Sequence, residues 1–155
     1  MDGPGAVTVA ATLDDVLTSS SPVSSSAPDD LDRGRLFDLG QLDVRWDRDA
    51  ETLWTFMTPS GRPNFNLPML RDFHMWQAEI ERVFKPREDC PKYLVLGSLF
   101  PGIFNLGGDL EHFSACILAA DREKLLDYGR SCVRLLYRNM HSLNLPMVTI
   151  ALVQG

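Results

Sequence analysis

The sequence of 155 residues lacks any apolar run of 18 or more residues, so a membrane-spanning helix is not expected. It is also poor in basic residues: it has 15 Lys and Arg but 21 Asp and Glu, which gives a formal net charge of -6. Without a basic stripe to neutralise phosphates, a nucleic-acid partner is not expected. The first residues carry no Lys or Arg ahead of an apolar segment, which argues against a secretory signal and predicts a cytoplasmic protein.

Cysteine is scarce as well, and the usual catalytic motifs are missing. Cys90, Cys116 and Cys132 are odd in number and widely spaced, which predicts reduced thiols rather than a disulfide framework or a metal site. No Gly-x-Ser-x-Gly, P-loop or His-Glu-x-x-His pattern occurs, and the glycines lack the Gly-x-Gly-x-x-Gly spacing of dinucleotide folds. These absences predict a protein without a bound metal or cofactor.

Residues 1–35 form a low-complexity segment, with a run of Ser, Pro and Asp over residues 18–30. Such a composition buries too little apolar surface to offset the entropy lost on ordering, so we predict a disordered tail. The folded domain is expected over residues 36–155, where apolar residues are frequent enough to form a core.

The first part of that domain predicts a β-hairpin followed by a long helix. Residues 42–46 and 52–57 alternate apolar and polar side chains around a turn-forming segment. A helix is expected from about Asn66, with Pro68 tolerated in its first turn. His74 lies off its apolar stripe and is predicted on the helix surface. The stripe consists of Met69, Phe73, Trp76, Ile80 and Val83.

The second part alternates strands and helices. Residues 93–98 are a short apolar run between prolines, typical of a strand covered on both faces, and residues 147–153 form a second such candidate. Helices are expected from Leu110 and, after an N-cap at Asp121, along a longer segment. The residues that share a face of this longer helix are Leu125, Cys132, Val133, Leu136 and Met140. This order predicts an α/β fold with parallel strand pairing.

A glycine loop over residues 104–113 joins the strand to the following helix and is the main candidate site. Gly107 and Gly108 allow a sharp turn and a close approach of the backbone to a ligand. One interpretation is a plain turn, with Asp109 as the helix cap; spacing alone favours it. The other is that the Gly108 N–H stabilises negative charge on an acyl thioester, as one donor of an oxyanion hole.

The amino-acid sequence of this loop resembles a motif of a known family. Phe-Asn-Leu-Gly-Gly-Asp-Leu at 104–110 is similar to the first oxyanion-hole motif of the crotonase (enoyl-CoA hydratase/isomerase) superfamily. Residues 148–155 resemble the strand that enters the second glycine motif of that superfamily, and residues 62–67 resemble its early loop. Within the superfamily, residues 104–110, Leu126-Asp127-Tyr128 and residues 150–155 together most resemble diffusible-signal-factor synthases. The resemblance implies a crotonase-like ββα spiral, of which residues 36–155 would be the N-terminal part.

The resemblance also implies roles for particular residues. The Gly108 N–H would be the first oxyanion donor, and Leu106 and Gly107 would lie along the thioester arm. Arg62 would contact a phosphate of the carrier, although a solvated loop arginine is an equal alternative, and Phe65 of the early loop would contact the substrate. The second donor and the two catalytic glutamates of the family belong to segments after Gly155, so no residue here matches them.

For the whole protein, the resemblance implies a 3-hydroxyacyl-thioester dehydratase and thioesterase that makes a cis-2-unsaturated fatty-acid signal for quorum sensing. The substrate would be carried on CoA or acyl-carrier protein, and the family forms trimers or hexamers. A classical enoyl-CoA hydratase is the alternative. The 155-residue chain alone is expected to be inactive, and a non-catalytic binding module is the other interpretation of this form.

Overall fold

A computed structural model describes residues 35–154 and shows one four-stranded sheet with three helices. The predicted hairpin is confirmed: β1 (Leu42–Asp47) and β2 (Thr52–Met57) pair antiparallel, with Val44 opposite Thr55. β3 (Tyr93–Ser98) and β4 (Val148–Ala151) extend the sheet in the order β1-β2-β3-β4, and both added pairings are parallel, as predicted. The predicted tail lies outside the described residues except for Arg35, which donates to the Leu42 carbonyl at 2.8 Å.

Side-chain caps begin all three helices. The Asn66 side chain accepts from the Met69 N–H at the start of α1 (Leu67–Phe84), with Pro68 in the first turn. Asp109 caps α2 (Leu110–Leu118), and Asp121 caps α3 (Arg122–Met140), as the sequence predicted. These caps satisfy N–H groups that have no partner within a helix.

The core lies between the sheet and α1. The predicted stripe of α1 is buried, apart from half-buried Val83 at its C-terminal end. The Trp76 indole N–H donates to the Thr55 hydroxyl at 3.0 Å, which fixes α1 against β2. β3 is buried at five of its six positions, as predicted for a strand covered on both faces.

The prediction for His74 was wrong, because its side chain is buried and its ring forms a hydrogen bond with the Ser131 hydroxyl of α3. Gln77, one turn later, is fully buried and donates to the Leu135 carbonyl at 3.0 Å and to the Asn139 side chain at 2.7 Å. A polar seam therefore joins α1 to α3. The helix α1 is covered on two sides, which the apolar stripe did not indicate.

The predicted face of α3 is also wrong. The buried residues of this helix are Tyr128, Ser131, Leu135 and Asn139, which include the polar partners of α1. Val133 and Met140 of the predicted face are exposed. Sequence hydrophobicity misplaced the face because hydrogen bonds, rather than apolar contacts alone, hold α3 against α1.

The strand β4 is shorter and less buried than predicted. It is one of the two edge strands of the sheet within residues 35–154, and its residues alternate between exposed and half-buried positions. Ile150 is 36% exposed and Leu152, just beyond the strand, is 41% exposed. Among these described residues, no helix is long and apolar enough to cross a membrane.

Candidate functional site

Two loops lie side by side at the carboxyl ends of β2 and β3. The Leu106 N–H donates to the Pro63 carbonyl at 2.7 Å, and the Phe65 N–H donates to the Gly107 carbonyl at 2.9 Å. Phe65 and Gly108 also form an isolated parallel bridge. The early loop and the glycine loop, which are 43 residues apart in sequence, therefore form one structural unit.

The backbone N–H groups of this unit can be followed one by one. The Leu106 N–H is bound by the Pro63 carbonyl, and the Gly107 N–H donates to the Asn105 side-chain oxygen at 2.7 Å. The Asp109 N–H donates to the Tyr128 hydroxyl at 2.7 Å. Within residues 35–154, the Gly108 N–H has no hydrogen-bond partner. A loop that engages the neighbouring donors leaves this donor available to a ligand.

The two glycines are required for different physical reasons. Gly107 has φ of +83°, a left-handed conformation that is costly for residues with a Cβ. Gly108 has no such requirement on φ but lacks space: a Cβ there would lie 2.9 Å from Phe113 Cε2 and 3.5 Å from the Tyr128 hydroxyl. Gly107 makes the turn, and Gly108 permits close packing next to its own free N–H.

The loop leads directly into α2. The Asp109 carboxylate accepts from the Glu111 N–H at 3.1 Å and from the His112 N–H at 3.2 Å. Both interpretations of the glycine loop are therefore compatible with the geometry, since Asp109 caps the helix while the Gly108 N–H stays free. The partial positive charge of the helix N-terminus adds to the attraction for a developing oxyanion beside Gly108.

Tyr128 supports the loop through its hydroxyl, a role that the sequence analysis did not predict, although it named the residue as part of the resemblance. Its side chain is fully buried, and its ring packs edge-on against Phe113 with centroids 4.8 Å apart. Its hydroxyl donates to the Phe65 carbonyl at 3.0 Å and accepts from the Asp109 N–H. One available signal was its place on α3, seven residues before buried Leu135, which puts both on one helix face.

The remaining predicted site residues surround Gly108 at different depths. The Leu106 side chain is 58% exposed, whereas the Phe65 ring is buried in the core, 5.6 Å from the Phe73 ring. Arg62 forms an ion pair with Glu111 at 2.6 Å, and both side chains are largely exposed. The structure thus brings Leu106, Gly107, Gly108 and the backbone of Phe65 together. The Arg62 guanidinium lies on the surface, paired with Glu111. Their roles toward a substrate stay predictions.

Next to the loop, α2, the start of α3 and Leu67 of α1 line an open, mostly apolar pocket of about 330 Å³. His112 and Cys116 line it, with the imidazole Nε2 3.5 Å from the thiol sulfur. Neither Cys90 nor Cys132 forms a disulfide within residues 35–154. Burial raises the pKa of the Cys132 thiol, and burial together with the nearby Asp89 charge raises the pKa of the Cys90 thiol. No group of His, Cys, Asp and Glu that could hold a metal ion occurs in the part of the chain that the structure describes.

Comparison with known proteins identifies the fold. No protein-family model and no curated protein matches the sequence. Among solved structures, DspI from Pseudomonas aeruginosa, of the crotonase superfamily, matches with a TM-score of 0.51 and 20% identity over 79% of this chain. A second structure of DspI matches with a TM-score of 0.50 and 20% identity over 76% of this chain. A protein from Streptomyces avermitilis named as an enoyl-CoA hydratase gives 0.48 and 18% over 73%.

The chain spans less than half the length of these proteins: it covers 42% and 43% of the two DspI chains and 37% of the Streptomyces chain. At such low identity the similarity concerns the arrangement of the backbone. The arrangement that matches is the mixed α/β architecture of a four-stranded sheet with three helices. Residues 35–154 therefore have a crotonase-like fold.

Proposed function

We propose that the Gly108 N–H binds the carbonyl oxygen of an acyl thioester and acts as the first donor of an oxyanion hole. The observation that carries this proposal is the free state of this one donor, within residues 35–154, between neighbours whose N–H groups are bound. Because the loop already holds this donor in place, little reorganisation free energy is needed when charge develops on the oxygen, which is the condition for effective stabilisation. The N-terminus of α2 supports the same polarity.

The chemistry suits 3-hydroxyacyl thioesters. Removal of the proton next to the thioester places negative charge on the carbonyl oxygen, and loss of the 3-hydroxyl then gives the 2-enoyl product. Hydrolysis also passes through an oxyanion, so the same donor serves dehydratase and thioesterase steps. One donor of this kind contributes roughly 3 to 4 kcal/mol to the transition state, so a second donor and a proton-transfer pair have to complete the reaction.

No residue among 35–154 is assigned as the general acid or base. The Asp109 carboxylate is engaged as the cap of α2, and Glu111 is paired with Arg62 on the surface. We propose that residues 36–155 are the N-terminal part of a crotonase-like domain, whose second donor and glutamates lie in further segments. The lack of an assigned proton-transfer group also favours the second candidate, a thioester-binding module without turnover in this 155-residue form.

The finer proposal is a whole protein that makes a cis-2-unsaturated fatty-acid signal for quorum sensing. It is supported by the similarity of residues 104–110 to the corresponding sequence motif of diffusible-signal-factor synthases, and by the shared fold with DspI. The substrate would arrive on CoA or acyl-carrier protein, without a cofactor. We also propose a cytoplasmic homo-oligomer, a trimer or hexamer, as the resemblance implies. The exposed side chains of Val133 and Met140 on α3 would supply apolar surface for a contact between copies.

The test is turnover by the full-length protein with a long-chain 3-hydroxyacyl-carrier protein, followed by mass spectrometry of the acyl products. A cis-2-enoyl product or the free acid is expected; the absence of both would contradict the proposed substrate class. Crotonyl-CoA hydration measured in parallel separates the alternative, a classical enoyl-CoA hydratase. Turnover by the 155-residue chain alone would contradict the binding-module candidate.

A further inference from the structure

The Tyr128 hydroxyl links Asp109, the residue after Gly108, to Phe65 of the early loop. A tyrosine hydroxyl has a single proton, and here it is donated to the Phe65 carbonyl at 3.0 Å. The oxygen therefore receives the Asp109 N–H, at 2.7 Å, through a lone pair. The two bonds have opposite sense, and together they tie the early loop to the residue that directly follows Gly108.

The peptide units around Gly108 are fixed one after the other. In a trans peptide the C=O and the following N–H point in opposite directions. The Phe65 N–H binds the Gly107 carbonyl at 2.9 Å, so the Gly108 N–H of the same peptide unit points away from Phe65. The Tyr128 hydroxyl holds the next unit through the Asp109 N–H and also holds the Phe65 residue that aligns the first unit.

The ring makes this arrangement rigid. Tyr128 is fully buried. Its ring centroid lies 4.8 Å from that of Phe113, which packs edge-on, and 5.0 Å from that of His112. Phe113 is also the residue that a Cβ at Gly108 would meet first. The hydroxyl is thus held within 3.5 Å of that Cβ position by packing from two residues of α2.

We propose that Tyr128 is a positioning residue, whose hydroxyl sets the direction of the Gly108 N–H without touching the substrate. The inference rests on the proposed function, because the direction matters only where Gly108 binds a thioester carbonyl. Catalysis by an oriented donor is sensitive to small displacements, since a misplacement of about 1 Å can lower a rate by roughly a hundredfold.

The experiment compares Tyr128→Phe with Tyr137→Phe as a matched control, because Tyr137 lies on the same helix but is 60% exposed. Amide hydrogen exchange by NMR reports the Asp109 N–H, which loses its acceptor in Tyr128→Phe. An increase of about tenfold in its exchange rate is expected, the equivalent of one hydrogen bond. The control should leave the rate unchanged. An unchanged Asp109 rate in Tyr128→Phe would overturn the proposal.

Turnover of long-chain 3-hydroxyacyl-CoA by the full-length protein supplies the second measurement. We expect Tyr128→Phe to lower kcat by about tenfold and to change KM by less than about twofold, because the donor acts mainly in the transition state. Ile80→Val, a core variant far from the loop in sequence, controls for a general loss of stability and should keep kcat. Faster Asp109 exchange with an unchanged kcat would overturn the positioning role.

The two proposals can fail separately. No turnover by the wild-type protein would refute the proposed function, while the exchange rates would still decide whether Tyr128 holds the loop. Should Tyr128→Phe fail to fold, replacement of the three tyrosines by a fluorinated tyrosine keeps the ring and weakens the oxygen as an acceptor. Faster Asp109 exchange would then support the proposal, and an unchanged rate would overturn it.

Discussion

Replacing Gly108 by alanine tests the site most specifically, because the structure separates space from backbone conformation at this position. Gly108 does not have a positive φ, so alanine can adopt its backbone angles. The added Cβ would instead lie 2.9 Å from Phe113 Cε2, and ordinary contact begins at 3.4 Å. Either the Phe113 ring or the loop has to move by about 0.5 Å, because contacts become steeply repulsive at shorter range.

If the loop moves, the Gly108 N–H moves with it. Loss of one oxyanion donor lowers kcat by roughly 10² to 10³, and we expect Gly108→Ala to approach the lower end of that range. Overpacking should also lower the free energy of unfolding by about 1 to 3 kcal/mol. The assay is steady-state turnover of a long-chain 3-hydroxyacyl thioester by the full-length protein, with urea unfolding measured on the same samples.

A second substitution identifies the cause. Phe113→Leu removes the ring that the new Cβ would meet, so the double variant Gly108→Ala/Phe113→Leu should recover most of the lost kcat relative to Phe113→Leu alone. Wild-type kcat in Gly108→Ala, together with lower stability, would show that the Phe113 ring moves while the loop keeps its place, and would refute the expected displacement of the Gly108 N–H. A double variant as impaired as Gly108→Ala would refute the steric explanation.

Three further outcomes follow from other residues. Gly107→Ala should cost about 1 to 2 kcal/mol of stability in urea unfolding, because φ is +83° there; an unchanged midpoint would contradict the assigned strain. Arg62→Ala should change stability by less than about 1 kcal/mol, since its ion pair with Glu111 is exposed, and should weaken binding of acyl-CoA but not acyl-pantetheine if Arg62 contacts a carrier phosphate. The Arg45 hydrogen bond lowers the pKa of Asp43 below 3.8, so its stabilising contribution is present above that pH and is lost as the pH falls through the lowered value. Unfolding from pH 7 to 2 should therefore show a smaller acid-induced loss for Asp43→Asn, and an identical profile would contradict this pairing.

Local patterns predicted the elements of this fold well. Alternation identified the hairpin, and the short apolar run between prolines identified β3, whose bounds agree with the prediction at both ends. The caps at Asp109 and Asp121 were also confirmed. These features depend on residues that are neighbours in sequence, so single-sequence reasoning has access to them.

Contacts between distant segments were harder to predict. His74 is buried because Ser131, 57 residues later, supplies a hydrogen-bond partner on α3. The same seam places Asn139 in the interior, which a hydrophobic pattern cannot anticipate. The supporting role of Tyr128 was missed for the same reason, since its hydroxyl forms hydrogen bonds with residues that are 19 and 63 positions away.

For the site, the sequence identified the loop but left its role open between a turn and an oxyanion donor. The structure adds the observation that the turn and the cap are completed by Gly107 and Asp109, which leaves the Gly108 N–H unbound among residues 35–154. The two interpretations describe different residues of one loop. Spacing could not show this, because the partners Pro63, Phe65 and Tyr128 come from other parts of the chain.

In the proposed function, the Gly108 N–H donates a hydrogen bond to the thioester carbonyl oxygen. The most direct measurement uses protein labelled with ¹⁵N-glycine, whose 11 glycines give a small set of amide signals. Titration with a long-chain 3-hydroxyacyl-CoA should shift the Gly108 signal more than that of Gly40, which lies beside Asp72 of α1, and the shift should saturate. An unchanged Gly108 signal at concentrations where the thioester binds would contradict the account.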